Sequence, residues 1–168
     1  YETAIPLKPN DSDIHNNYGQ FLCKQGQWPQ AEEHFLKAAK NPLYRTPYIP
    51  YTNAGVCVLL RKQDPSQAEP FFRQALQSQP KFDKALYWMA QTSYDQGFVA
   101  QAQDYLNRYL EVAPHTPETL WLGIRIALAL NHQKTATDYA TQLRSQYPDS
   151  EQTRLLNQQE KTSTTPKP

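Results

Sequence analysis

The sequence predicts an all-α solenoid of antiparallel helix hairpins, and three observations carry that reading. Ala68, Ala102 and Ala136 stand 34 residues apart, and Pro80, Pro114 and Pro148 keep the same step, twelve residues after each alanine. Apolar residues follow the alanines at helical spacing, Phe72, Leu106 and Ala140 four positions on and Leu76, Leu110 and Leu143 seven or eight positions on, which is the stripe of a helix with one buried face. With 5 glycines in 168 residues and few β-branched residues over 27–43 and 93–110, those stretches favour helix. A fixed period of this length marks a repeat architecture and outranks any local motif.

In chain order, Tyr1, Ala4 and Pro9 fall at the aromatic, alanine and proline positions of an earlier unit. Residues 1–9 are therefore expected to be the C-terminal remnant of a preceding repeat, helical over 1–7, with at least one hairpin before it. The array proper is expected over 10–157. Its first helices are read at 15–24, 51–61, 86–96 and 120–130, each ahead of a second helix that carries Ala31, Ala68, Ala102 or Ala136. Gly26, Gly97 and Asn131 sit where a first helix must end in a left-handed cap. The small residues Gly19, Gly55, Ala90 and Gly123 permit close helix contact. The first hairpin starts at Ser12 and carries Ala31, Phe35, Ala38 and Pro42. An irregular stretch with three prolines, 41–50, then shifts the register to Ala68 by three residues. Pro70, inside the second helix of the next hairpin, removes an intrahelical hydrogen bond and predicts a late start or a kink. A capping helix is expected over 149–159, where Glu151, Gln152 and Arg154 lie beside Leu155 and Leu156. Residues 158–168 hold no apolar side chain, cannot offset the entropy of ordering, and are expected to form a disordered polar tail.

The 34-residue helix-turn-helix unit resembles the tetratricopeptide repeat. That likeness implies a right-handed superhelical solenoid in which the first helices line a concave surface and the prolines stop each second helix.

Composition excludes several classes of function. The 17 basic and 16 acidic residues leave a net charge of +1, spread along the chain, so no basic face exists to neutralise phosphates and nucleic acid is not an expected partner. No run approaches the roughly 18 apolar residues of a spanning helix, and mean hydropathy is −0.79. There is no glycine-rich phosphate loop. His15, His34, His115 and His132 are scattered without metal-ligand spacing and read as surface or capping residues. Glu32 and Glu33 are neighbours that point to different sides of a helix, a solvated edge rather than an acid/base pair. No catalytic residue, cofactor or metal is expected, and the chain reads as a binding protein rather than an enzyme.

Two features carry more information. Cys23 and Cys57 fall in the first helices of adjacent hairpins, so a disulfide is feasible if their Cα atoms come within about 7 Å; two buried free thiols are the other reading. The face of the first helices left over after hairpin packing gives Asn16, Gln20, Thr52, Val56, Tyr87, Gln91, Tyr94, Trp121 and Arg125. This candidate groove is amphipathic, with one cation, which disfavours a clamp for a C-terminal carboxylate. Its aromatic residues with polar neighbours suit a peptide segment with apolar anchors, although Tyr87, Tyr94 and Trp121 also fit simple packing between hairpins.

Asn16-Asn17-Tyr18-Gly19-Gln20-Phe21-Leu22-Cys23 with Ala31, Phe35 and Ala38, and Leu122-Gly123-Ile124-Arg125-Ile126-Ala127 followed by Thr135-Ala136 and Gln142 to Pro148, resemble the type IV pilus biogenesis and stability lipoproteins, the PilF/PilW (pilotin) family. The likeness covers nearly the whole chain, about 1–150. It implies a protein that helps the outer-membrane secretin localise or multimerise, on the periplasmic face of the outer membrane, with that secretin or another pilus assembly protein as partner. It also implies a bridge between Cys23 and Cys57, and membrane attachment only through an N-terminal lipid anchor absent from this chain, which departs from the family in holding no lipobox cysteine. A different tetratricopeptide adaptor, such as a cytochrome-maturation accessory or a co-chaperone, is the competing reading.

Overall fold

The structure, a computed structural model, describes residues 10–164; the remnant expected at 1–9 lies outside them. Nine α-helices and no strand occur among the described residues. Eight form four hairpins: α1 Ser12–Lys24 with α2 Trp28–Ala39, α3 Tyr48–Lys62 with α4 Pro65–Ser78, α5 Asp83–Asp95 with α6 Val99–Leu110, and α7 Pro117–Ala129 with α8 Gln133–Gln146. A single helix, α9 Glu151–Thr164, follows and packs on α7 and α8. Each second helix packs on the first helix of the next hairpin, and the first helices also touch in succession, α1 on α3, α3 on α5 and α5 on α7. The chain is therefore an all-α helical-hairpin solenoid with its first helices aligned on one side.

Local chemistry explains the starts and stops. Asp11 caps α1 by accepting from the Ile14 N–H at 3.1 Å, and Asp64 caps α4 by accepting from the Ser66 N–H at 3.0 Å, each meeting one of the orphan donors of a helix start. At α7 the cap is reciprocal. The Thr119 N–H donates to Thr116 Oγ1 at 3.3 Å, and the Thr116 N–H donates to Thr119 Oγ1 at 2.8 Å. The hairpin turns at Gly26, Gly97 and Asn131 take φ of 74°, 83° and 60°, the left-handed conformation read from the sequence. Gln63 does the same at 51° and carries no such cue, because only glycine and asparagine advertise that region. The first helices begin about a turn earlier than the apolar period shows, at Ser12, Tyr48, Asp83 and Pro117. Their opening turns hold caps, prolines and single buried residues such as Ala85 rather than the full apolar stripe.

The buried stripe is the periodic one. Ala31, Ala68 and Ala102 have no exposed surface, and Phe35, Phe72 and Leu106, four residues on, are equally enclosed. Phe72 lies directly over Gly55, where an added Cβ would come within 2.5 Å of its ring. Four buried clusters follow one another along the array, and Tyr87 and Tyr105 pack against both of the middle two.

Three details differ from the expectations. The helix α3 starts at Tyr48 rather than 51; Pro50 sits in its first turn, where no N–H partner is needed. Helix α4 starts promptly at Pro65 and carries Pro70 inside it. Both Pro70 and Ser66, the residue whose carbonyl loses its donor, are exposed, so water can satisfy the freed oxygen. Helix α9 runs past Gln158, where a tail was expected, to Thr164. Its glutamines, glutamate and lysine are good helix formers. Arg144 of α8 ties it down, donating to Asn157 Oδ1 at 3.1 Å and to Glu160 Oε2 at 2.5 Å.

Candidate functional site

The aligned first helices form the candidate binding face, and the structure sorts its nine sequence-picked residues into three groups. Asn16 and Thr52 are buried at the joint between the first two hairpins, a correction to their expected place on the open groove. Asn16 Oδ1 accepts from Asn53 Nδ2 at 2.8 Å, linking α1 to α3, and the Thr52 hydroxyl donates to the Tyr48 carbonyl at 2.8 Å. Gln20 and Val56 are half-buried beside them, Val56 packed on the next core cluster.

The third group is the five residues on α5 and α7, of which Gln91, Tyr94 and Arg125 form one constellation. Gln91 Nε2 donates to both carboxylate oxygens of Asp95 at 2.8 Å. The Arg125 guanidinium lies 4.3 Å above the centre of the Tyr94 ring and reaches Asp95 Oδ1 at 3.4 Å. Asp95 was not picked from the sequence; the i, i+4 spacing from Gln91 was the available signal. The ring stacking contributes about 0.5–2 kcal/mol and the half-exposed ion pair about 0–1 kcal/mol. Together they hold Arg125 flat and neutralise it. The one cation of the groove is thus already paired, which strengthens the case against a carboxylate clamp.

Tyr87 packs against the clusters on both sides of α5. Burial, then the Glu118 carboxylate, push its hydroxyl up to about 12, so it stays a protonated donor throughout the physiological range. With Trp88, Tyr109 and Thr119 it lines a cleft of about 280 Å³ at the N-terminal ends of α5 and α7. Trp121 is half-buried on the cluster of Leu120, Ile124, Leu143 and Leu156. Its ring both packs and faces outward, so neither of its two sequence readings is displaced.

Cys23 and Cys57 are joined as a disulfide with Cα atoms 5.9 Å apart, tying α1 to α3. The histidines are less scattered than their sequence positions. His15 is 1% exposed and its Nδ1 lies 2.7 Å from His34 Nδ1, so one ring must donate and the other accept. Burial, followed by the charge of His15, lowers the His34 pKa from the usual 6.5. His115 is half-buried with its ring 4.9 Å from Tyr139, and burial lowers its pKa as well. No cluster of metal-binding side chains occurs among the described residues, and no helix among them is long and apolar enough to cross a membrane.

Comparison with known proteins places this geometry. Tetratricopeptide repeat patterns match residues 1–33 and 59–122. The chain is 28% identical over 150 residues to the type IV pilus assembly protein PilF of Pseudomonas aeruginosa, covering 89% of this chain and 59% of that protein. The solved structure of P. aeruginosa PilF superimposes with a TM-score of 0.84 at 26% identity, over 95% of this chain and 71% of that one. The crystal structure of PilW, described as a widely conserved type IV pilus biogenesis factor, matches with a TM-score of 0.78 and 33% identity over 92% of this chain and 71% of that one. Both relatives are named for assembly rather than catalysis. Repeat, fold and identity agree, and the chain belongs to the tetratricopeptide-repeat family of type IV pilus biogenesis factors.

Proposed function

We propose that this chain is the protein-binding array of a pilus assembly factor that helps the outer-membrane secretin localise or multimerise. The longer protein would be lipid-anchored at the periplasmic face of the outer membrane. The 33% identity with the type IV pilus biogenesis factor PilW across 92% of the chain supports the pilus-assembly part of this reading. The disulfide fits an oxidising compartment such as the periplasm. The first-helix face supplies the contact surface, with Tyr87, Tyr94 and Trp121 as apolar anchors and Gln91, Arg125 and the Tyr87 hydroxyl as fixed polar guides. Because Arg125 is already paired with Asp95, the favoured partner is a segment with apolar side chains rather than a free chain end.

Deleting the gene in its own host and complementing it with variants tests the proposal. Loss of heat-resistant secretin multimers on deletion, restored by the wild-type protein, is the expected result; unchanged multimers and surface pili would overturn it. Trp121→Ala should weaken capture of the secretin by about 2 kcal/mol if the ring is a central anchor, with circular dichroism recorded in parallel. A variant that melts several degrees lower yet assembles multimers normally would reassign Trp121 to the core.

A further inference from the structure

The joint between the first two hairpins holds a second candidate site, on the side away from the first-helix face. The backbones of helices α2 and α4 stay apart, and between them, over α3, lies a cleft of about 270 Å³. Trp28 of α2 and Phe71 of α4 form its walls, both half-buried on the same apolar cluster, and Cys57 lies in its floor. Arg61 and Lys62, at the end of α3, line it from one side and Glu32 from the other. Arg61 and Glu32 have no ion-pair or hydrogen-bond partner among the described residues, and Lys62 donates only to the neutral Gln67 side chain. A place in the last turn of a helix accounts for two cations by itself. It does not account for aromatic walls beside them.

We propose that this outer cleft binds a segment of a partner protein that carries an aromatic side chain next to carboxylates. The aromatic group seats between Trp28 and Phe71, where stacking and burial reward it. The carboxylates meet Arg61 and Lys62, one charge-assisted bond each, and Glu32 accepts a donor from the segment's backbone. The volume suits one large side chain rather than a drug-sized ligand. The disulfide beneath the floor holds α1 against α3, so the cleft is formed before the partner arrives and less ordering entropy opposes binding. This inference is independent of the pilus reading and of the first-helix face.

Short randomised peptides displayed on phage and selected on the disulfide-intact protein provide the test. Enriched sequences should carry an aromatic residue flanked by Asp or Glu. In fluorescence anisotropy, the labelled consensus peptide should lose about tenfold or more in affinity for Trp28→Ala and for the Arg61→Glu, Lys62→Glu pair. Affinity for Arg125→Gln should be unchanged. The two charge reversals lie on exposed residues, so they test the site even where Trp28→Ala impairs folding. No enrichment, enrichment of basic sequences, or binding to the charge-reversed protein within about twofold of wild type would overturn the proposal.

Discussion

The joint between the first and second hairpins and the joint between the second and third solve the same problem differently. The second joint keeps the 34-residue step and is held mainly by apolar packing: Phe72 is enclosed, lies over Gly55 and stacks on Trp88 with ring centres 6.0 Å apart, and one polar link, Gln96 donating to Glu69 at 3.2 Å, crosses it. The first joint departs from the step by three residues and carries the irregular linker. There the chain adds a disulfide, an Asn53–Asn16 bond and ties from the linker to α1. Asn41 donates to Ser12 Oγ at 2.8 Å and the Tyr44 hydroxyl donates to Asp13 at 2.7 Å. Where the repeat is regular, neighbouring hairpins fit mainly by shape with single polar links; where it is not, a covalent bond and several polar ties are added.

Phe72→Ala should be the most damaging change, about 3–5 kcal/mol, because it opens a cavity at the regular joint with nothing to fill it. Denaturant unfolding measures it, and a loss below about 1 kcal/mol would mean that the second joint is not held by packing. Next, replacing Cys23 and Cys57 by Ser should cost about 3–4 kcal/mol for a loop of 34 residues in the chain-entropy account. Hydrogen exchange should then speed up in α1 and α2 while α5 to α8 stay protected. Uniform acceleration along the array would dissolve the contrast between the joints.

A smaller effect comes from the His15–His34 contact in the first hairpin. The folded state holds the His34 pKa below 6.5, so the unfolded chain takes up its proton first as pH falls. The stabilising contribution is full above about pH 7 and is lost on acidification through 6.5 toward the depressed folded value. Melting temperature should fall between pH 7.5 and 5.5, and His34→Gln should flatten that slope, with His115, whose pKa burial also lowers, supplying the remainder. A slope unchanged by His34→Gln would show that His34 does not titrate with folding. Smallest, Tyr94→Leu should cost about 0.5–1 kcal/mol by removing the platform beneath Arg125. A double-mutant cycle with Arg125→Gln would show no coupling if the stack were incidental.

Most of the architecture was legible because it is written in local chemistry. The step of alanines and prolines, the left-handed turns at Gly26, Gly97 and Asn131, and the helical character of each segment depend only on residues within a turn or two. The first turns of the helices were harder to see, since Asp11, Asp64 and Thr116 act through capping bonds rather than through a period. The left-handed Gln63 was not visible, since the turn lacks a glycine; 158–161 carry good helix formers but no apolar stripe, and the Arg144 contact to Glu160 comes from another helix.

The binding face divides along the same line. Helical spacing by itself determined that Tyr87, Gln91 and Tyr94 share one side of α5 and that Trp121 and Arg125 share one side of α7. Only the tertiary structure decided that Asn16 and Thr52 are enclosed, that Asp95 neutralises Arg125, and that His15 meets His34. Those outcomes depend on how far one hairpin is rotated and shifted against the next. Side-chain shape across the whole interface sets that rotation, and no single helix contains it.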